Sequence, residues 1–401
     1  MYLTGTEGDD SLVGGAEDDT IQGLAGDDLL VGGGGHNTLD GGDGSDTVSY
    51  AGATPAGMFG FLMINLQGQY TSMVGPGGGA IDTLVSIENA IGSSGADWLV
   101  GTSGDNVLSG GAGADHIEGK GGADVLDGGD GADAINTLGI FGAAAIGSVM
   151  IGGDGNDSIQ SGNSNDTLLG GDGDDFLEAD NYTTTRIIDG GAGVDALGFL
   201  DNGSVIYSTG VVFDLNNTGA QTVASGVVVT VSNVENVYGS GAGDTLIGDA
   251  NANLLRGNGG ADILYGGAGD DRIEGGDGDD YIQGGQGQDS MTGGAGADTF
   301  AFAAGDSVAP DTIQAFTADD HILFVDGPAG TSGNYLELST IDFGAVSAAF
   351  AGEGVRYVAM QMFSDVFLFA DVGDEGTGYD QMIILSGMTL SSIDPSAILG
   401  F

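Results

Sequence analysis

Aspartate recurs every nine residues through much of this chain. A carboxylate repeated so regularly is suited to shaping turns, to acid–base work in pairs, or to holding a hard cation among other oxygens. Gly14 to Gln22 reads GGAEDDTIQ, Gly266 to Glu274 reads GGAGDDRIE, and Gly275 to Gln283 reads GGDGDDYIQ. There are 21 such blocks, in runs over residues 5–49, 92–136, 152–198 with one interruption, and 239–301. The sixth position is Asp or Asn in all 21, with Asn only at Asn37, Asn106 and Asn253. The eighth position is always apolar, from Leu12, Ile21 and Leu30 through Leu99 and Ile117 to Ile282, Met291 and Phe300. Gly holds the first position everywhere except Ser161, and the fourth in 17 blocks.

The elements that would carry these aspartates follow from the spacing. Six residues rich in Gly and Asp make a turn. The other three, with the apolar residue in the middle, suit a very short strand that points one side chain inward. Two turns and two strands then close a coil of about eighteen residues, and stacked coils give an all-β parallel roll with an inner apolar ladder. The Asp columns are expected on its two outer edges. Carboxylates stacked at ~4.8 Å repel one another, and a cation held between successive turns by Asp oxygens and Gly carbonyls turns that repulsion into cohesion.

Composition points the same way. Gly supplies 83 of 401 residues, roughly three times the usual ~7%, while 5 Pro exclude a collagen-like chain and 40% hydrophobic residues argue against disorder. With 59 acidic residues against 5 basic ones, the formal net charge is -54. Nucleic acid and anionic membrane surfaces are implausible partners for such a chain. Compaction requires bound counter-charge, for which calcium is the natural candidate. Cys is absent, so disulfides, zinc-thiolate sites and iron–sulfur clusters are excluded, and the 3 His are dispersed. No apolar run approaches the ~18 residues of a transmembrane segment. The opening Met1-Tyr2-Leu3-Thr4-Gly5 lacks the basic and apolar stretches of a cleavable signal peptide.

The pattern resembles the nonapeptide repeat G-G-x-G-x-D-x-U-x of the RTX family, whose members are calcium-binding parallel β-rolls. The resemblance implies a calcium ion between each block and the next but one, hence roughly 13 ions or more over the four runs. Side-chain ligands are implied at Asp10, Asp19, Asp28, Asp46, Asp97, Asp115, Asp124, Asp133, Asp157, Asp166, Asp175, Asp244, Asp262, Asp271, Asp280, Asp289 and Asp298. Weaker or missing ions are expected where Asn replaces Asp, or where Glu17, Ser164, Ala242 or Asn251 replaces the fourth Gly.

Two interruptions look like copies of each other. LMINL at 62–66 matches VFDL at 212–215, and Ile87-Glu88-Asn89-Ala90-Ile91-Gly92-Ser93 matches Val234-Glu235-Asn236-Val237-Tyr238-Gly239-Ser240. Their alternating apolar residues suggest longer strands that widen the same solenoid, with separate β modules as the alternative. The apolar stretch from Thr137 to Ile151 reads as a bulged coil rather than a helix, and Thr183 to Thr185 as no clear element. The expected organisation is a repeat run over 1–49, an inserted β segment over 50–91, a run over 92–136, an interrupted run over 137–198, a second inserted segment over 199–238, a run over 239–301, and a C-terminal β cap over 302–401. That last segment resembles the cap of secreted RTX proteins, which carries an uncleaved signal for a type I secretion exporter. Ile398-Leu399-Gly400-Phe401 is a short apolar ending of that kind.

No catalytic motif is found: there is no His-Glu-x-x-His and no Gly-x-Ser-x-Gly. Gly305-Asp306-Ser307 reads as a turn, and His36, His116 and His321 sit in different units. The expected function is that of a calcium-dependent structural protein, secreted from a Gram-negative bacterium to the medium or cell surface. An open first coil suggests a head-to-tail homo-oligomer, as filament, surface layer or matrix. The alternatives are a secreted polysaccharide-modifying or hydrolytic enzyme, or an adhesin, carrying these repeats.

Overall fold

The computed structural model describes residues 1–53, 61–74, 82–137, 147–162, 165–179, 184–200, 210–303, 306, 310–325, 335–338, 357–362, 364–370, 381–389, 393 and 397–400. Gly305, Ser307, Thr183, Ser164, Phe401 and residues 138–146 of the apolar break lie outside the described residues. There is no α-helix among the described residues. Two compact units share the chain: Met1–Leu197 with Ser225–Val234, and Gly198–Ala224 with Glu235–Phe401.

In the first unit successive blocks feed alternate sheets. Tyr2–Thr4, Thr20–Ala25 and Thr38–Asp43 pair in parallel in the register Leu3 to Ile21 to Leu39. Ser11–Val13, Leu29–Val31 and Thr47–Ser49 do the same in the other sheet, in the register Leu12 to Leu30 to Val48. Partners are two blocks apart, so one coil consumes two blocks, as the spacing predicts. The eighth-position residues make the core: Ile21, Leu30, Leu39, Leu99, Leu108, Ile117, Leu126 and Ile159 are fully buried. Each points inward because the strand's period of two puts one apolar residue between two outward neighbours.

Many strands are longer than three residues. Val125–Asp130 and Val149–Asp154 run on into the next block, skipping the first glycine and pairing again at Gly129 with Gly153. The glycine at the fourth position explains why the turn closes so tightly. Gly278 has φ of +133°, and a Cβ there would lie 1.8 Å from the carbonyl oxygen of Gly260 in the coil below. Only glycine adopts that backbone and tolerates that approach.

The first inserted segment adds strands to this unit. Phe61–Asn65 and Tyr70–Val74 form an antiparallel hairpin, and Phe61–Asn65 pairs in parallel with Asp97–Val100, Ile64 opposite Leu99. Thr83–Val85 lies along Thr38–Asp43, Leu84 opposite Leu39. From the second inserted segment, Val227–Ser232 joins Thr185–Ala192 in the first unit, while Val212–Asp214 pairs with Thr245–Ile247 in the second.

The second unit repeats the scheme through Ile263–Ala268, Tyr281–Gln286 and Thr299–Phe302 on one side and Leu254–Gly259, Arg272–Asp277 and Ser290–Ala295 on the other. The cap then continues both sheets. Asp311–Gln314 stacks on Ser290–Ala295, and His321–Phe324 on Thr299–Phe302. Tyr357–Met362, Asp365–Ala370 and Gln381–Ser386 turn antiparallel. Aromatic rings close the apolar ladder here, with Phe324 stacked on Tyr357 at 5.1 Å between centroids.

Because Ile273 is fully buried between Leu255 and Met291 in the ladder, Ile273→Ala should cost about 2–5 kcal/mol. Urea denaturation of the calcium-loaded protein checks this, with an unchanged midpoint contradicting it.

Candidate metal centre

The sixth-position aspartates are not at exposed edges. Of the seventeen expected ligands, Asp10 is half-buried in the first block of the first run and the other sixteen are buried. The difference has a local cause. In most coils that follow another, the carboxylate turns in to accept the backbone N–H of the residue at the matching place one coil earlier, usually an aspartate, which no outward rotamer could reach. Asp10 N–H donates to Asp28 Oδ1 at 2.8 Å, and Asp28 N–H to Asp46 Oδ1 at 2.8 Å. Asp97, Asp115, Asp133, Asp157 and Asp175 are linked the same way at 2.7 to 2.8 Å. So are Asp244, Asp262, Asp280 and Asp298, and Asp271 with Asp289, at 2.7 to 3.0 Å.

The second oxygen folds back over the first glycine of its own block. On Asp28, Asp46, Asp115, Asp124, Asp133, Asp157, Asp175, Asp262, Asp271, Asp280, Asp289 and Asp298, Oδ2 is buried with no hydrogen-bond partner. A buried carboxylate oxygen left in that state is costly. A glycine carbonyl of the next coil faces the same space. A Cβ on Gly275 would meet Asp280 Oδ2 at 2.1 Å and the Gly293 carbonyl oxygen at 2.6 Å. On Gly128 it would meet Asp133 Oδ2 at 2.2 Å and the Gly152 oxygen at 2.5 Å. The first position must therefore be glycine, and each level offers an oxygen-only donor set. Among the described residues no three acidic or imidazole side chains converge on one point. Carboxylate and carbonyl oxygens in mixture are what calcium accepts, whereas zinc and other borderline ions favour nitrogen and sulfur.

Burial sets the charge state of these groups. It raises Asp115, Asp124, Asp262 and Asp271 from 3.8 to about 7, and Asp157, Asp280 and Asp289 to about 6. Donation by the backbone N–H of the preceding level offsets part of the rise, and neighbouring carboxylates in the column add to it. A bound cation favours the charged form and reverses the shift.

Levels with asparagine differ in kind. Asn106 Nδ2 donates to the Glu88 carbonyl at 2.5 Å and Asn253 Nδ2 to the Glu235 carbonyl at 2.7 Å. An amide proton stands where the aspartates hold an open oxygen, so these two levels are satisfied by the chain itself. Asp97 and Asp244, which begin their runs, each accept from the backbone N–H and the hydroxyl of a second-position serine, Ser93 and Ser240. Asp166 Oδ1 accepts from Ser148 N–H at 2.9 Å.

Sequence reasoning missed several members of the columns. Asp195, sixth in the block from Gly190, accepts from Asp175 N–H at 2.8 Å. Asp82 accepts from Asn37, Glu88 from Asp46, Ser148 from Asp124, Asp311 from Asp289 and Asp320 from Asp298. The signal for Asp82, Asp311 and Asp320 is the tail of the repeat, Asp-x-apolar, without its glycine-rich head. The fifth-position carboxylates have another role. Exposed Asp9, Asp18, Asp27 and Asp105 accept backbone N–H groups of the next coil at 2.7 to 2.9 Å, as turn formers do.

Stacked parallel coils whose levels each pair a carboxylate with glycine carbonyls define a calcium-binding β-roll. The RTX calcium-binding nonapeptide repeat (4 copies) matches residues 4–39, 22–52, 91–126, 110–139, 149–181, 238–273, 265–300 and 274–308, together half of the chain, and the chain belongs to this family. No curated protein matches it. Among solved structures it is similar to the extracellular lipase LipA from Serratia marcescens, at 16% identity and a TM-score of 0.27, over 76% of this chain and 40% of that one. It is also similar to a subunit of the Azotobacter vinelandii mannuronan C5-epimerase, at 25% identity and a TM-score of 0.20, over 39% of this chain and 78% of that one. The chain thus spans less than half the length of the lipase.

A pH dependence follows. Carboxyls whose folded pKa is raised from 3.8 to about 6 or 7 hold protons that the unfolded chain releases. Their contribution to the metal-free roll is present below pH 3.8 and is lost as pH rises through about 6 to 7. In chelator, far-UV circular dichroism should therefore gain β signal on acidification from pH 8 to the range of about 4, whereas with calcium the signal should persist at pH 8. A calcium-free signal indifferent to pH would contradict the burial of these groups.

Proposed function

We propose that this protein is a secreted structural β-roll that folds when it meets calcium outside the cell and then assembles with copies of itself. The observation that carries the reading is the row of buried, unpartnered Oδ2 atoms along each column. It supports a chain that cannot compact while its carboxylates are bare and that becomes rigid once about 13 ions neutralise them. Cytosolic calcium is too low to fill sites of micromolar to millimolar affinity. The unfolded, self-repelling chain would then be the form that a type I exporter passes out of a Gram-negative cell, with the C-terminal cap as its signal. In this reading the protein is a scaffold and not a catalyst.

Assembly is supported by an outward apolar row on one sheet of the first unit. The register runs Val107, Val125, Val149, Thr167, Ile187, and Val107 and Ile187 are 51% and 53% exposed. Such a row on a flat, regular face suits contact with the same row of a second copy. Sedimentation velocity in millimolar calcium should show higher-order species that revert to monomer on chelation. Val125→Asp should lower their amount without altering circular dichroism. A strict monomer at high protein and calcium concentrations would sink the assembly part and leave calcium-driven folding standing.

A further inference from the structure

One level of the roll is built differently from its neighbours. Its block begins with Ser161 where the other blocks have glycine. A first-position Cβ elsewhere would collide with the sixth-position carboxylate of its own block, so Asp166 cannot fold back in the usual way. The Gly162 N–H donates to Thr137 Oγ1 at 2.9 Å, and that hydroxyl in turn donates to Asp166 Oδ2 at 3.5 Å.

The next coil on the same side supplies a cation. Thr167 pairs with Ile187, so Arg186 occupies the rung beside Asp166, the place that an aspartate holds in other coils. Its side chain points inward and is fully buried, the largest such side chain among the described residues. Arg186 Nε donates to Ser161 Oγ at 2.7 Å, and Nη2 donates to the Gly162 carbonyl at 3.0 Å. A guanidinium keeps its charge at any physiological pH and has no lone pair to offer a metal. Fully buried in a column of carboxylates and carbonyls, it does what an ion does elsewhere, with a fixed fork of donors in place of a coordination shell.

We propose that the guanidinium of Arg186 is the resident cation of the level between the Ser161 block and the coil above it, filling a place that takes calcium in ordinary levels. This level closes without metal. The chain carries one ion fewer than it would with an aspartate at position 186, and the serine at position 161 is the matching half of the substitution, a hydroxyl acceptor where a metal site needs open space. The inference rests on the calcium reading of the other levels.

The test uses the full chain with calcium alone as the probe. Native mass spectrometry should count one more bound calcium in Arg186→Asp than in the wild type. Calcium titration of Arg186→Met followed by circular dichroism should show a folding midpoint several-fold higher than that of the wild type, and Arg186→Lys should fall between the two. Should Arg186→Asp fail to fold, the Met and Lys titrations still decide. Equal ion counts in wild type and Arg186→Asp, or a wild-type midpoint in Arg186→Met, would overturn the assignment. A wild type that takes up no calcium and folds without it would instead overturn the underlying reading.

Discussion

Most coils of this protein place a carboxylate within one strand spacing of the next, inside the structure and away from water. That contact is repulsive by itself, and burial pushes several of the acids as far as about 7. The architecture answers with three kinds of partner. Backbone N–H groups of the preceding coil satisfy one oxygen of each acid. The other oxygen, beside a glycine carbonyl, is left for a hard cation. At other levels the chain supplies a donor of its own, an amide at Asn106 and Asn253 and a guanidinium at Arg186. Glycine at the first position is a consequence of this contact, since a Cβ would fall on the carboxylate oxygen that makes it, whereas the fourth-position glycine answers to the carbonyl of the coil before it.

Most of this was legible before any coordinates. The period of nine gave the coil, and the eighth-position column gave the core, since Ile21, Leu30, Leu99 and Ile282 are all fully buried. The family's repeat gave calcium. What escaped was depth and extent. The aspartates were expected on outer edges because acids usually face water, and the inward turn depends on hydrogen bonds two blocks apart that no local window contains. Asp82, Asp311 and Asp320 escaped because the glycine-rich head that marks a repeat is missing there, although the strand that follows still stacks in register. Arg186 escaped because its meaning lies in the residue beside it in space, Asp166, twenty positions away in the chain.

The two copied segments show why the pattern restarts cleanly after each interruption. Asn89 Oδ1 accepts Val107 N–H and Asn236 Oδ1 accepts Leu254 N–H, at 2.8 and 2.9 Å. In each copy the preceding glutamate offers its carbonyl to the asparagine of the following coil. A Glu-Asn pair thus helps to seat the first coil of a new run, with a backbone carbonyl and a side-chain amide as acceptors where the later coils use carboxylates.

Through the repeat runs the strands of a coil pair with those of the coils directly before and after it. A stack built this way is held chiefly by nearest-neighbour contacts once an end is lifted. Under a pulling force it would peel in increments of two blocks, each release freeing its own ions. The force needed for each step would track the surrounding calcium concentration, so that the stiffness of the stack would be set by the ions around it.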